Sequence, residues 1–210
     1  VIPLKYDEAR SFSGKFAIVK SQDKWGAIDD KGNLIVKPKY DWMDDFSEDV
    51  AAVRIGDKYS FVNTSGVELM PFAFDLAGKF SSDLAPVKKD GKSYFIDKQG
   101  NQSLPYKYEN ADAFSEGSAM VRQSGKSGFI NNKGVEVIPF QYENDSARFS
   151  EGLAAVKQNG KFGFIDYSGR LIVPFKYVEA KPIKDNLSLV KNAEGKEFFI
   201  GYEGTEFYQP

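Results

Sequence analysis

The chain has 210 residues, 41% of them hydrophobic, with 28 basic and 30 acidic side chains for a net charge of −2. That balance gives no global pull toward nucleic acid or an anionic membrane, and no apolar run approaches the ~20 residues of a membrane-spanning helix. There is no histidine and no cysteine, which excludes disulfides, thiolate metal sites, cysteine nucleophiles and Ser-His-Asp triads, and removes the commonest general base.

In chain order, Val1-Ile2-Pro3-Leu4-Lys5-Tyr6 comes first and does not read as a signal peptide. It repeats the pattern of Val137-Ile138-Pro139-Phe140-Gln141-Tyr142. The chain therefore starts in the middle of a repeat, as a mature form or an excised domain would. Phe12-Ser13 then opens a unit that returns at Phe46, Phe80, Phe114 and Phe149, at spacings of 34, 34, 34 and 35 residues. A degenerate sixth unit starts at Ile183. A fixed period of this size marks a repeat array whose units cannot bury their apolar faces alone.

Each unit holds three β-rich runs separated by turn residues. The first run carries a small residue at Ala17, Ala51, Ala85, Ala119, Ala154 and Ser188, followed two places on by Val19, Val53, Val87, Val121, Val156 and Val190. A small-residue column predicts close approach of neighbouring backbones. Asn159-Gly160 predicts a tight hairpin into the second run. That run has adjacent apolar residues, such as Phe129-Ile130 and Phe164-Ile165. Neighbours on a strand face opposite sides, so both faces of the sheet are expected to be buried. Asp29, Asp97 and Asp166 begin Asp-x-x-Gly turns, which lack the further oxygen ligands of a calcium loop. The third run carries Pro38, Pro71, Pro105, Pro139 and Pro174, and proline there predicts an end, a bulge or an edge. No window sustains a 3.6-residue period, so little helix is expected.

The units are contiguous, so one domain over residues 1–210 is expected. Its units start near Phe12, Phe46, Phe80, Phe114, Phe149 and Ile183, and residues 1–11 complete the terminal one. The sixth unit stops at the same proline, Pro210, leaving a whole number of units cut mid-unit. The expected fold is all-β: six ~34-residue repeats forming a closed propeller-like ring, with three or four short strands per unit. An open β-solenoid or superhelix capped by the sixth unit is the alternative.

The segment Lys24-Trp25-Gly26-Ala27-Ile28-Asp29 resembles the signature of the bacterial WG-repeat, or KWG-repeat, family. Lys126-Ser127-Gly128-Phe129-Ile130-Asn131 and Lys161-Phe162-Gly163-Phe164-Ile165-Asp166 occupy the same slot. Other copies replace the tryptophan with Tyr59, Ser93, Ser127, Phe162 or Glu197. The resemblance implies an all-β, non-enzymatic repeat, of a kind frequent in exported or envelope-associated bacterial proteins.

Two columns are basic in every unit: Lys24, Lys58, Lys92, Lys126, Lys161 and Lys196, and Lys20, Arg54, Lys88, Arg122, Lys157 and Lys191. They could form an anion-binding face, or pair with the acidic column of Asp7, Asp41, Asp75, Glu109, Glu143 and Glu179. Glu48, Glu116 and Glu151 would be the carboxylates of a glycosidase, but they occupy equivalent positions, and an active site is singular. Trp42 is a large aromatic in a connector that is otherwise small and polar, such as Asn110-Ala111-Asp112. It is a candidate ligand anchor, as is Tyr106. The sequence thus points to a non-catalytic scaffold for a protein partner. The alternative is a cell-envelope glycan-binding module using Trp42 and Tyr106. No cofactor, metal, nucleic acid or membrane insertion is expected.

Overall fold

The computed structural model describes residues 5–104 and 108–207. Among them there is no helix, and the strands form six antiparallel sheets, each built from consecutive segments. Two compact units, Val1–Leu104 and Pro105–Pro210, hold three sheets each.

In the first unit, the first sheet contains Glu8–Ala9, Phe16–Ser21, Lys24–Asp29 and Leu34–Tyr40. The second contains Trp42–Met43, Val50–Ile55 and Lys58–Asn63, and the third Leu76–Ala77, Ala85–Lys89 and Lys92–Ile96. In the second unit, the fourth sheet contains Asn110–Ala111, Ser118–Gln123, Lys126–Asn131 and Glu136–Tyr142. The fifth contains Phe149–Ser150, Leu153–Gln158, Lys161–Ile165 and Leu171–Tyr177, and the sixth Glu179–Ala180, Leu187–Lys191, Glu197–Gly201 and Glu206–Phe207. Sheet and sequence repeat have the same length but differ in phase. In every sheet but the fifth, whose leading strand is Phe149–Ser150 itself, the connector before the Phe-Ser step or its sixth-unit equivalent supplies the leading strand, so Glu8–Ala9 pair with Val19 and Lys20.

In the fifth sheet, two-residue hairpins with both residues at positive φ join the first three strands: Glu151 and Gly152 (52° and 84°) join Phe149–Ser150 to Leu153–Gln158, and Asn159 and Gly160 (49° and 73°) join Leu153–Gln158 to Lys161–Ile165. This geometry matches the twist of the flanking strands.

Packing runs from one sheet face to the next. Ile18, Ala27, Val36 and Tyr40 of the first sheet meet Ala51, Val53 and Val62 of the second. Ala52 and Phe61 on the opposite face of the second meet Ala85, Val87 and Ile96 of the third. In the second unit, Met120, Phe129 and Ile138 meet Ala154, Val156 and Ile165, while Ala155, Phe164 and Val173 meet Val190, Phe198 and Ile200. The adjacent apolar residues Phe61-Val62 and Phe164-Ile165 of the second runs therefore serve two different cores, as their alternation across the strand requires, whereas Phe199 of the sixth sheet is exposed beside buried Phe198. The small column is buried throughout, from Ala85 and Ala154 at 0% exposure to Ala17 at 2%.

In the first, fourth and fifth sheets the fourth strand bulges at its proline, as expected. Trp25 pairs with Tyr40 but Ala27 with Val36, so four residues of one strand span two of the other around Pro38. The bulge drives backbone against the glycine of the Lys-x-Gly slot. A Cβ on Gly26, Gly128 or Gly163 would lie 2.4–2.6 Å from the carbonyl oxygen of Val36, Ile138 or Val173. In the second and third sheets the slot holds Ser60 and Tyr94. There the fourth strand is reduced to isolated bridges such as Tyr59 with Phe74 and Ile96 with Gln102. In the fourth sheet, Ser127 takes the place of the tryptophan and its hydroxyl is buried without a partner.

Candidate functional site

The Phe-Ser-Glu step is a clasp between consecutive sheets. The hydroxyls of Ser47, Ser115 and Ser150 donate to the carbonyls of Phe80, Phe149 and Ile183 at 2.7, 2.7 and 2.6 Å. The adjacent carboxylates take the exposed amides of the next hairpin. Glu48 accepts from Asp83 N–H at 3.0 Å, Glu116 from Glu151 and Gly152 at 2.8 and 3.0 Å, and Glu151 from Asp185 and Asn186 at 2.8 Å each. The three glutamates considered for glycoside hydrolysis therefore each hold a turn of the following sheet.

The acidic column caps the other set of hairpins. Asp41 accepts from Gly56 N–H at 2.7 Å, and Glu143 from Asn159 and Gly160 at 2.9 Å each. The Gly160 amide is the main cause holding the Glu143 carboxyl below its ordinary value. Lys24 and Lys58 reach Asp41 and Asp75 of the following sheet at 2.5 Å, and hold both carboxyls low. Arg122 bridges Glu109 at 3.5 Å and also pairs with Asp145. In these copies the basic columns pair with acids. Asp29, Asp97 and Asp166 accept amides two and four residues on, such as Lys31 at 3.0 Å and Asn33 at 2.7 Å for Asp29, which is turn chemistry.

What the repeat does not use internally gathers on the leading strands and the connectors beside them. Trp42 pairs with Arg54 there, half-buried, with its ring edge-on to Tyr59 at a centroid distance of 5.8 Å. Its inner part packs on the core between the second and third sheets. Tyr106 lies outside the described residues. In the second unit, a cleft of about 420 Å³ is lined by Asp112, Ala113, Ser146, Ala147, Arg148 and Pro182. Asp112 accepts from Ala147 N–H at 3.1 Å. Burial pushes its carboxyl above the ordinary value, against the opposing pull of the Ser146 hydroxyl, the Ala147 amide and the Arg148 charge. A half-buried carboxyl beside an exposed guanidinium can receive a ligand carrying a cationic or hydrogen-bond-donating group. Sequence reasoning missed this cleft. The signal was the 35-residue spacing, whose extra residue falls between Tyr142 and Phe149, in the connector that carries Arg148. A larger hollow of about 490 Å³ is lined by Tyr108, Gln123, Lys133, Val135, Glu136 and Phe140 among others.

Among the described residues no group of three or more histidine, cysteine or acidic side chains could hold a metal ion, and no helix is long and apolar enough to cross a membrane. The family model described as WG containing repeat matches six times, at residues 1–25, 25–59, 59–92, 95–126, 128–162 and 162–196. A search of curated proteins finds no significant match. Among solved structures, the chain is similar to BamB from Moraxella catarrhalis, with 11% identity and a TM-score of 0.56, covering 94% of this chain and 70% of that one. It is also similar to Kluyveromyces lactis Hsv2p, with 11% identity and a TM-score of 0.57, covering 93% and 75%. Both are propeller proteins, and at this identity the likeness assigns the fold, an all-β propeller-like repeat, and nothing more.

Proposed function

This chain belongs to the WG-containing-repeat family, and from that premise we propose that it is a non-catalytic interaction scaffold whose partner is a protein. One observation carries the reading. Recurring side chains such as Ser47, Glu48, Asp41 and Lys24 are engaged inside the molecule, as clasps, turn caps and ion pairs between sheets. Those that break the repeat, Trp42 on a leading strand of one unit and Arg148 in the connector beside Asp112 of the other, keep solvent-exposed surface. A rigid framework that offers non-repeating side chains from short loops and edges is the common design of a recognition surface. Trp42 is the proposed apolar anchor, since aromatic residues dominate binding energy at interfaces.

The test is capture of partners from envelope extract, followed by titration of the purified partner, with a glycan array run in parallel. Trp42→Ala should weaken binding by about 2 kcal/mol or more while the melting temperature stays near wild type. Loss of about 3–5 kcal/mol of stability, with unchanged affinity of the folded fraction, would instead make Trp42 a core plug and remove the anchor. Glycan binding that depends on Trp42 or Tyr106, without protein capture, would replace the protein partner with the glycan reading.

A further inference from the structure

In the third and fifth sheets the turn between the last two strands reaches back to the carboxylate clasp of the preceding sheet. In the first unit this is done by Lys98, whose Nζ lies 3.5 Å from Glu48 Oε2 and 3.0 Å from Asp83 Oδ1. The equivalent slots of the fifth and sixth sheets hold Tyr167 and Tyr202. The Tyr167 hydroxyl donates to Glu116 Oε2 at 2.7 Å, so it occupies the place of the lysine on the clasp. Its ring rests on buried Phe149, with centroids 4.7 Å apart and planes tilted by 33°. Despite both contacts Tyr167 remains 50% exposed, and Tyr202 41%. The two rings converge over the hairpin at Gly152. A Cβ there would lie 3.3 Å from the Tyr202 hydroxyl and 3.8 Å from Tyr167 Cε2.

We propose that Tyr167 and Tyr202, with Glu116 beside them, form a platform that binds a pyranose unit of an uncharged glycan. Lysine suffices for the structural bond, as Lys98 shows, so the tyrosines add aromatic surface that the fold does not bury. Tyr167 is fixed before any ligand arrives, because one side of its ring is packed and its hydroxyl is held. Binding then costs little side-chain ordering. A pyranose offers the complementary surfaces, an apolar C–H face for a ring and hydroxyls at its rim. A carboxylate has about four acceptor sites. The amides of Glu151 and Gly152 and the Tyr167 hydroxyl occupy three on Glu116, which leaves one for a sugar hydroxyl. The bond to Glu116 raises the Tyr167 hydroxyl to about 12, so it stays a protonated donor at neutral pH. Glu116 and Glu151, both exposed at this edge, disfavour phosphorylated or uronic sugars by like-charge repulsion. This platform is distinct from the leading-strand surface of the protein-scaffold reading and stands independently of it.

The experiment is calorimetric titration of the whole chain with cellotetraose and with chitotetraose, with a proline-rich peptide as the competing aromatic-platform ligand. Binding of either sugar is expected, with Tyr167→Ala and Tyr202→Ala each weakening it by about tenfold or more. Tyr167→Phe keeps the ring and should weaken binding only about threefold. Tyr167→Ala also removes the contact with Phe149, so Tyr202→Ala, judged against an unchanged melting temperature, carries the test if the first variant unfolds. Refusal of both sugars by the wild-type chain overturns the proposal. So does sugar binding that survives both alanine variants, or binding of the peptide in place of the sugars.

Discussion

Gly163→Ala isolates the physical reason for the glycine of the Lys-x-Gly slot. The added Cβ would sit 2.6 Å from the Val173 carbonyl oxygen and 3.1 Å from the Phe175 nitrogen. Reaching ordinary contact at 3.4 Å requires the bulged strand to retreat by 3.4 − 2.6, about 0.8 Å. The nearest obstructing atom is the Val173 backbone carbonyl, with the Phe175 ring next at 3.0 Å, so a rotamer change of Phe175 does not relieve the main clash. Overpacking alone costs about 1–3 kcal/mol. The retreat also loosens the Phe162–Tyr177 and Phe164–Val173 pairs that flank the bulge, at about 1 kcal/mol per hydrogen bond weakened. A total of roughly 2–4 kcal/mol should lower the melting temperature by about 5 °C or more in a chain of this size. The assay is thermal unfolding followed by circular dichroism, with two controls. Gly160→Ala meets nothing within 4 Å and is strained only by its φ of +73°, so it should cost about 1 kcal/mol. Ser60 occupies the same slot where no continuous fourth strand forms, so Ser60→Gly should restore nothing comparable. A Gly163→Ala melting temperature equal to that of Gly160→Ala would refute the close-approach argument.

Ala154→Leu, placed against Met120, Phe129 and Ile138, should destabilise by about 1–3 kcal/mol in denaturant titration, and a neutral result would mean the sheets do not meet there. Glu151→Ala should cost about 1 kcal/mol through the two amides of Asp185 and Asn186 left without their acceptor, with Glu151→Gln recovering part of it. The carboxyls of Asp29, Asp41, Asp75, Asp166 and Glu143 are all held below their reference values of 3.8 and 4.5. The stability they contribute is therefore complete above those references and is lost as pH falls below them. Melting temperature should drop between pH 5 and pH 3, roughly the window of these groups, and a flat profile would count against the caps. Asp112 has the opposite sign: its raised carboxyl opposes folding once ionised. Asp112→Asn should accordingly gain more in melting temperature at pH 7, where the carboxyl is ionised, than in acid, where it is protonated in both states.

The sequence alone determined a good deal here, because repetition compares the chain with itself. The buried small column recurs in all six units, and the two-faced second strand and the proline bulge follow from the same local chemistry in the units that keep it, such as the fifth. Asp29 and Asn159-Gly160 could be assigned from turn rules because the partners of a turn lie within a few residues. The purpose of Phe-Ser-Glu could not, since the acceptor of Ser115 and the donors to Glu116 lie 34–36 residues away. Nor could sequence fix the phase of the sheets, because a two-residue strand such as Trp42–Met43 is defined by its pairing with Val53 and Arg54 rather than by its composition. The glycine of the Lys-x-Gly slot looked like half of a signature. Only the approach of the Val36 carbonyl showed it to be a steric requirement. The cleft at Asp112 and the tyrosines over Gly152 depend on side chains from successive repeats meeting in space. Tertiary packing alone decides which residues meet across such distances, since a linear pattern records spacing along the chain and not which faces are left exposed once the sheets stack.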